Sequence, residues 1–264
     1  MPRRDCGPFD GSRLLRETSL QHIEYHARLE STNTLALSLL NSLLNSAPAL
    51  VITPQQTAGR GRKGNRWWSA GGALTFSLVL RSSEVPLAAE RRSLVAIATG
   101  LAVQTVLSEI ATGIEFQLKW PNDVLSGGRK ICGILVEQSG FGEQQGIIVG
   151  VGVNVSNSLR DAPSAIASLA TSLCDLTNSD HDLTDVLTLL LNQIDQRISQ
   201  FAMQPRLALA EANRVSLLNG RLVRIRNESE TVEGECLGID SDGCLVISSA
   251  NGPVTCSSGV VERW

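Results

Sequence analysis

Four positively charged residues alternate with glycines in one short stretch of the chain. The stretch reads GRGRKGNR from Gly59, and its cations are Arg60, Arg62, Lys63 and Arg66. No aspartate or glutamate occurs from residue 31 to residue 83. Arginine makes bidentate, charge-assisted hydrogen bonds to phosphate, and glycine lets the backbone approach a ligand closely. The stretch predicts a loop that binds a small anion, with a flexible, solvated basic turn as the alternative.

A lysine and a carboxylate stand close together in the sequence KWPNDVL, residues 119–125. Lys119 is predicted to end a strand just before the rigid Trp120-Pro121 turn, so its ammonium would be held in one place. A fixed positive charge can stabilise negative charge that develops in a transition state. Asp123 could bind a metal ion or only cap the turn, and a surface lysine before a β-turn is the alternative for Lys119.

Three glycines interrupt strands that are otherwise apolar. Gly133 lies in KICGILVEQ, and Gly150 and Gly152 lie in GIIVGVGVNVS. Glycine weakens a strand, so its presence there often marks the close approach of a ligand or of another backbone. A ligand pocket and close packing of a helix on a strand are equally compatible with this pattern.

Strands and helices alternate irregularly in the part of the chain that must position these residues. Strands are predicted at 22–30, 49–56, 73–80 and 145–156, with a strand, a turn and a hairpin over 115–138. Helices are predicted at 31–46 and 89–110 and in two later segments, the second of which starts at Asp182. Ser31 and Thr32 are the expected N-terminal caps of the first helix. This irregular order predicts an α+β domain, a mixed β-sheet backed by helices.

The pattern changes near residue 219, where short strands follow one another closely. Four or five of them are separated by turns in NES, DSDG and NG, which predicts a small β-barrel docked on the larger part. The chain is thus divided into a short polar extension at 1–20, a main domain at 21–217 and a small β-domain at 218–264.

Composition limits the classes of function. The chain has 264 residues, is 42% hydrophobic and carries a net charge of −3, so nothing attracts it globally to nucleic acid or to an anionic membrane. Its six cysteines show no C-x-x-C spacing and are read as reduced thiols of a cytoplasmic protein. A signal peptide and an apolar run of about 18 residues are not found, so no membrane span is expected.

Five motifs occur together in a fixed order: ESTNTLA, QTAGRGRKGNRWWS, KWPNDVL, KICGILVE and GVGVNVS. In this combination the chain resembles the biotin–protein ligases, or biotin–[acetyl-CoA-carboxylase] ligases, from about Glu30 to the C-terminal end. The resemblance implies a class II synthetase-like catalytic domain and an SH3-like C-terminal β-barrel. Many relatives add an N-terminal helix-turn-helix domain and act as repressors. Residues 1–20 are too short for that domain, so no repressor activity is expected.

The resemblance also implies a reaction. Biotin and ATP would form biotinyl-5′-AMP and pyrophosphate, and the biotinyl group would then move to one lysine of a biotin carboxyl carrier protein. The catalytic residues implied are Lys119, Arg60 and Arg62. The biotin-binding residues implied are Ser31, Thr32, Asn33, Gln56, Arg60, Gly61, Arg62, Lys63, Lys119 and Gly133. The residues implied for ATP and the adenylate are Arg60, Arg62, Trp67, Lys119 and Asn154.

Further expectations concern the metal, the loop and the partners. Mg²⁺ would accompany the ATP phosphates, with Asp123 as the candidate ligand. The glycine-rich loop would be mobile alone and would order over the adenylate, with Trp67 or Trp68 as an apolar cover against water. Asn65 departs from the arginine that relatives often carry, which could change the ordering of the loop. Specific DNA and membranes are not expected as partners, and a homodimer is among the states allowed.

Three other functions compete with this interpretation. A lipoate–protein ligase shares the fold and the adenylation chemistry, but the pairing of GRGR with KWPND argues against it. A nucleic-acid-binding protein could use the basic loop, but the negative net charge and the single short patch disfavour this. A serine hydrolase is disfavoured because the chain has no G-x-S-x-G motif and only three histidines.

Overall fold

The computed structural model describes residues 5–88, 91–160, 162–227 and 230–264. Its strands are β1 (Asp5–Cys6), β2 (Phe9–Asp10), β3 (His22–Tyr25), β4 (Ala49–Thr53), β5 (Ala73–Arg81), β6 (Gln117–Lys119), β7 (Asp123–Ser126), β8 (Arg129–Ser139), β9 (Gly146–Asn154), β10 (Leu222–Arg226), β11 (Thr231–Ile239), β12 (Leu245–Ser249), β13 (Gly252–Cys256) and β14 (Val260–Arg263). Its α-helices are α1 (Gly11–Glu17), α2 (Thr32–Ser38), α3 (Leu40–Leu44), α4 (Leu94–Ile110), α5 (Ser164–Ala167), α6 (Leu173–Thr177), α7 (Leu183–Met203) and α8 (Pro205–Arg214).

A mixed sheet of seven strands forms the centre of the molecule, in the order β3-β4-β5-β9-β8-β7-β6. β3 and β4 are parallel, and the other neighbouring pairs are antiparallel. Every residue of β9 is buried, so both faces of the sheet are covered at its middle. The predicted α+β fold, a mixed sheet backed by helices, is confirmed.

The two faces of β9 meet different parts of the protein. Val149 and Val151 belong to the main hydrophobic core, together with buried residues of α4 and α7. Ile148 belongs to a smaller cluster that contains residues of α2 and α3. Because side chains alternate along a strand, Gly150 and Gly152 lie on the face of Ile148, near the start of α2.

The helix α7 forms much of the wall of the main core. Asp182 caps it, because Asp182 Oδ1 accepts hydrogen bonds from the backbone N–H groups of Thr184 at 2.8 Å and Asp185 at 2.9 Å. The predicted apolar stripe is confirmed as buried at Val186, Leu187, Leu190, Ile194, Ile198 and Phe201. Leu183, also predicted in this stripe, is only partly buried.

The segment predicted as a short polar extension is folded in its described part, residues 5–20. The strands β1 and β2 pair as a small hairpin, and α1 follows with Asp10 as its cap. Leu14 and Leu20 are buried in the main core. The backbone N–H of Asp10 donates to Thr184 Oγ1 at 3.1 Å, which ties this segment to α7. The sequence did not predict that this segment packs on the core, because its apolar residues are widely spaced among polar ones.

Two predicted elements near the N-terminal part end earlier than the sequence suggested. The strand predicted for residues 22–30 ends at Tyr25, although the N–H of His26 still donates to Ile52 O at 3.1 Å. The helix predicted for residues 31–46 is divided at Leu39, whose ψ of 9° is not helical.

The helices after the sheet also differ from prediction. The helix predicted over 89–110 begins at Leu94 in the structure, and Ala89 and Glu90 lie outside the described residues. Two helical segments were predicted after β9, but α5, α6, α7 and α8 are found. Pro205 opens α8 directly after α7, because proline fits the first turn of a helix but cannot continue one.

The C-terminal strands form a five-stranded antiparallel sheet in the order β13-β12-β11-β10-β14. The inward residues of this sheet join the main core. Two bonds fix its β11–β12 turn to the main part: Trp120 Nε1 donates to Gly243 O at 3.0 Å, and Ser93 Oγ donates to Asp242 O at 2.7 Å. The predicted small β-domain is confirmed, and its boundary at residue 218 stays a prediction.

Two further findings concern cysteines and hydrophobic helices. All six cysteines are free thiols, and burial raises the pKa of Cys132. None of the helices within the described ranges is both long and apolar enough to cross a lipid bilayer.

Candidate active site

A cleft opens over Gly150 and Gly152, between the start of α2, the glycine-rich loop and the turn from β6 to β7. Of the predicted site residues, twelve line it: Ser31, Thr32, Asn33, Gln56, Arg60, Gly61, Arg62, Lys63, Trp67, Lys119, Asp123 and Gly133. These residues come from five separate parts of the chain. The fold therefore brings almost the whole predicted site together.

Buried polar groups form one end of the cleft, at the start of α2. Gln56 Oε1 accepts from the backbone N–H of Thr32 at 2.7 Å and from its hydroxyl at 3.3 Å. Asn33 Nδ2 donates to Glu137 Oε2 at 2.8 Å, and Asn33 Oδ1 accepts from Ser77 Oγ at 2.5 Å. These side chains are held in one orientation, so this end of the cleft is a preorganised hydrogen-bonding surface.

The glycines in the apolar strands make room for side chains of α2 and of the glycine-rich loop, which pack against this face of the sheet. A Cβ on Gly150 would lie 2.1 Å from Asn33 Oδ1, and a Cβ on Gly152 would lie 2.4 Å from Trp67 Cε2. A Cβ on Gly133 would lie 3.3 Å from Trp67 Cζ3. At Gly152 only glycine lets the Trp67 indole lie directly on the backbone of β9, whereas at Gly133 a Cβ would first meet Lys130 Nζ at 2.9 Å. Close approach thus explains these glycines.

The glycine-rich loop folds back over the cleft as a small hairpin. Gly61 N donates to Asn65 O at 2.7 Å, and Trp67 N donates to Gly59 O at 2.9 Å. The tip turns at Lys63, whose φ is 53°. The loop carries its cations across the cleft to groups on the other side.

Each of the first two arginines of the loop reaches a different wall. Arg60 makes a two-pronged contact with Glu137 of β8, with Nη2 donating to Oε1 at 2.8 Å and Nη1 to Oε2 at 3.2 Å. Arg62 Nη1 donates to Asn122 Oδ1 at 3.3 Å, in the turn before β7. Burial lowers the pKa of Arg62, and the charge of Asp123 opposes that shift.

Lys119 ends β6 with a half-buried ammonium that has no carboxylate partner among the described residues. The ammonium lies over the ring of Trp264, whose centroid is 3.3 Å from Lys119 Nζ. Burial lowers the pKa of Lys119 to about 8; Asp123 raises it in part, and Lys130 lowers it further. An ammonium placed in this way is available to an incoming anion.

Asp123 is a carboxylate of the cleft lining, and its charge acts on Arg62 and Lys119. Lys130 Nζ lies 2.6 Å from Asp123 Oδ1, a buried oxygen without a well-aligned hydrogen bond within the described chain. The described residues contain no cluster of three or more histidine, cysteine or acidic side chains that would hold a metal ion alone. A single carboxylate fits Mg²⁺ where substrate phosphates and water molecules supply the other ligands.

Asn154 is the predicted site residue that the structure does not place in the cleft lining. Its Nδ2 donates to Thr171 O at 3.0 Å, and its Oδ1 accepts from Asn157 Nδ2 at 3.0 Å. Both ends of the amide are therefore occupied within the protein.

Other residues of the site were missed from the sequence. Glu137 shares a face of β8 with Gly133 because the two are four residues apart on a strand, and this period-two spacing could have revealed it. Lys130 and Asn122 carried no such signal. Trp264 is distant in sequence from Lys119, and only the docking of the C-terminal sheet brings the two together.

Comparison with known proteins agrees with these features. Residues 25–154 match the Biotin/lipoate A/B protein ligase family, and residues 220–264 match the Biotin protein ligase C terminal domain. The chain is 34% identical over 246 residues to the Bifunctional ligase/repressor BirA of Bacillus subtilis, covering 90% of this chain and 73% of the relative. It is also 34% identical to the Biotin--[acetyl-CoA-carboxylase] ligase of Mycobacterium tuberculosis, covering 91% of this chain and 88% of that protein.

A solved structure shows the same fold. The biotin protein ligase from Aquifex aeolicus, in complex with biotin and ATP, superposes with a TM-score of 0.78 at 28% identity, covering 92% of this chain and 100% of that one. The predicted resemblance and the predicted ATP-dependent ligase class are both confirmed: the chain belongs to the biotin protein ligase family.

Proposed function

We propose that this protein condenses biotin with ATP to biotinyl-5′-AMP and transfers the biotinyl group to a lysine of a biotin carboxyl carrier protein. The observation that supports this most directly is the convergence of Arg60, Arg62 and Lys119 on one cleft that also holds the polar side chains at the start of α2. The first step joins a carboxylate to a triphosphate. Two anions approach only where cations screen their repulsion.

The polar end of the cleft suits the ureido ring of biotin. That ring offers two N–H donors and one carbonyl acceptor, which hydroxyl and amide groups can pair with. Ser31, Thr32, Asn33 and Gln56 supply such groups, and the first three are buried. Trp67, which lies against the glycines of β8 and β9, supplies an apolar wall for the thiophene ring and valeryl chain.

The cationic end suits the phosphates. Arg62 and Lys119 are partly removed from water, and desolvation lowers the pKa of both. Bound phosphate would relieve this cost and would gain more from both cations as negative charge builds on the transferred group. Arg60 would exchange Glu137 for the biotin carboxylate or the α-phosphate. Mg²⁺, when bound to the phosphates, would neutralise further charge, with Asp123 as the available protein ligand.

The loop would also protect the product of the first step. An acyl-adenylate is readily hydrolysed, so water must be excluded until the carrier lysine arrives. The hairpin from Gly59 to Trp67 already crosses the cleft and presents its indole to the floor. Ordering of this loop by ligand stays a prediction. A role for Asn154 in reading adenine also stays a prediction, and it would require the amide to leave Thr171 or Asn157.

The remaining partners are part of the same proposal. The relatives named as ligases act on a carboxylase, so a carrier domain is the proposed acceptor. Operator binding is not expected, and a homodimer and a cytoplasmic location stay predictions.

Calorimetry tests the binding order that this cleft implies. Biotin should bind alone, and ATP should bind more tightly after biotin because the ordered loop completes the phosphate end. Incubation with biotin, ATP and a carrier domain should add one biotinyl group to one lysine, as measured by mass spectrometry. Binding of lipoate in preference to biotin would contradict the proposal.

A further inference from the structure

The ammonium of Lys119 contacts an aromatic ring of the C-terminal part of the chain. Within the described chain, no hydrogen bond or ion pair of Lys119 Nζ is found, and the ring of Trp264 lies 3.3 Å away from it, centroid to nitrogen. Trp264 directly follows β14 of the C-terminal sheet and is 39% exposed. A cation over the face of an indole ring is attracted by the ring quadrupole.

The backbone around Lys119 is fixed, but the backbone alone does not aim the ammonium. Leu118 N donates to Val215 O at 2.9 Å, and Leu118 O accepts from Leu217 N at 2.7 Å. Trp120 Nε1 is bonded to Gly243 O of the C-terminal sheet. The lysine side chain has a flexible stem of four methylene groups, so its ammonium could point in several directions from this fixed backbone. The Trp264 ring is in contact with the ammonium and so favours one of them.

The position of the ring relative to the cleft indicates what it does. Lys119 lines the cleft, and so do Val260 and Val261 of β14, but Trp264 does not. The indole therefore contacts the ammonium without being part of the cleft lining. A ring in that position can hold the charge without contacting the nucleotide.

We propose that Trp264 is a positioning residue for the first step of the reaction. The ring holds the Lys119 ammonium facing the cleft, so that the C-terminal sheet contributes to adenylate formation through Lys119 alone. This inference rests on the proposed function. It differs from a stacking platform for adenine, which would act on ATP affinity, and from an inhibitory contact, which would withhold the lysine from substrate.

Kinetics of biotin-dependent ATP–pyrophosphate exchange test the proposal. Trp264→Leu should lower kcat by about tenfold, and Trp264→Phe, which keeps an aromatic face, should restore kcat to within about threefold of wild type. The KM values for biotin and ATP should stay within about twofold, because the ring touches neither ligand. Leu222→Ala, an exposed apolar residue of the same sheet, is the matched control and should leave kcat unchanged.

A double-mutant cycle shows whether the effect passes through the lysine. In a Lys119→Ala background, Trp264→Leu should change the exchange rate by less than about twofold, because the group it positions is absent. A full tenfold loss in that background would overturn the proposal. A rise in the KM for ATP at constant kcat would favour the adenine platform instead, and a rise in kcat would favour the inhibitory contact.

Two controls separate other failures. Thermal unfolding should show that Trp264→Leu is folded; if it is not, Trp264→Met, which keeps a long apolar side chain without an aromatic face, takes its place in the same cycle. A wild-type protein without any biotin-dependent exchange would refute the proposed function. Normal wild-type exchange that is unaffected by either Trp264 variant would refute only the positioning role.

Discussion

Removal of the Lys119 ammonium should slow adenylate formation severely while leaving the fold intact. Lys119 lines the cleft and forms no ion pair with a carboxylate among the described residues, so its charge is free to act on a bound anion. Loss of one preorganised group of this kind costs about 3 kcal/mol of transition-state stabilisation, which is about a hundredfold in rate. Lys119→Ala should therefore reduce biotin-dependent ATP–pyrophosphate exchange by about this factor, with an unchanged thermal unfolding midpoint.

The pH dependence of the wild-type rate tests the same charge without removing the side chain. Burial lowers the pKa of Lys119 to about 8, so its charged form dominates below that pH and is lost as pH rises through it. The value of kcat/KM for ATP, which reports the free enzyme, should therefore fall above about pH 8. Bound phosphate favours the ammonium, so the fall in kcat should occur at higher pH.

Lys119→Arg is the matched variant for this pH experiment. Arginine stays charged throughout the accessible range, so the alkaline fall in kcat/KM should disappear even if the maximum rate is lower. Near-normal exchange by Lys119→Ala, or an unchanged alkaline limb in Lys119→Arg, would remove Lys119 from the mechanism.

Three further predictions concern the loop, the cleft floor and DNA. Gly152→Ala places a methyl group where Trp67 now lies, so biotin affinity should fall by about tenfold or more while the fold survives, as calorimetry and circular dichroism would show. Biotin with ATP should protect the loop at residues 59–68 from trypsin, and equal cleavage with and without ligand would argue against closure. Without ligand, Glu137→Gln should speed cleavage of the loop by up to about fivefold, because the substitution weakens a partly exposed ion pair with Arg60. DNA binding at physiological salt should be weak, without sequence preference and without response to biotin, and a tight biotin-dependent gel shift would contradict this.

The sequence predicted the fold class and most of the residues that line the cleft, but it misplaced the ends of several elements. Arg60, Lys119 and Gly133 belong to short motifs whose chemistry is local, and all three line the cleft. The role of a glycine in a buried strand could not be decided from the sequence, because close packing and a ligand pocket both favour glycine there. The structure adds the specific reason at Gly152, which is the indole of Trp67.

Features that depend on long-range contacts were not accessible from local patterns. Leu14 and Leu20 look like isolated apolar residues in a polar segment until that segment docks on α7. The contact between Lys119 and Trp264 exists only because the C-terminal sheet packs beside β6. Asn154 shows the opposite case: its residue type suited a ligand, but the fold gives its amide internal partners.

The most direct test of the central claim is ATP–pyrophosphate exchange by the wild-type protein with biotin, with lipoate and with neither acid. A cleft that joins a polar hydrogen-bonding end to Arg60, Arg62 and Lys119 should support rapid exchange with biotin, at least about a hundredfold faster than with lipoate or with no acid. The reason is that only the ureido ring of biotin pairs with the polar end. Exchange that is independent of biotin, or that prefers lipoate, would contradict the account.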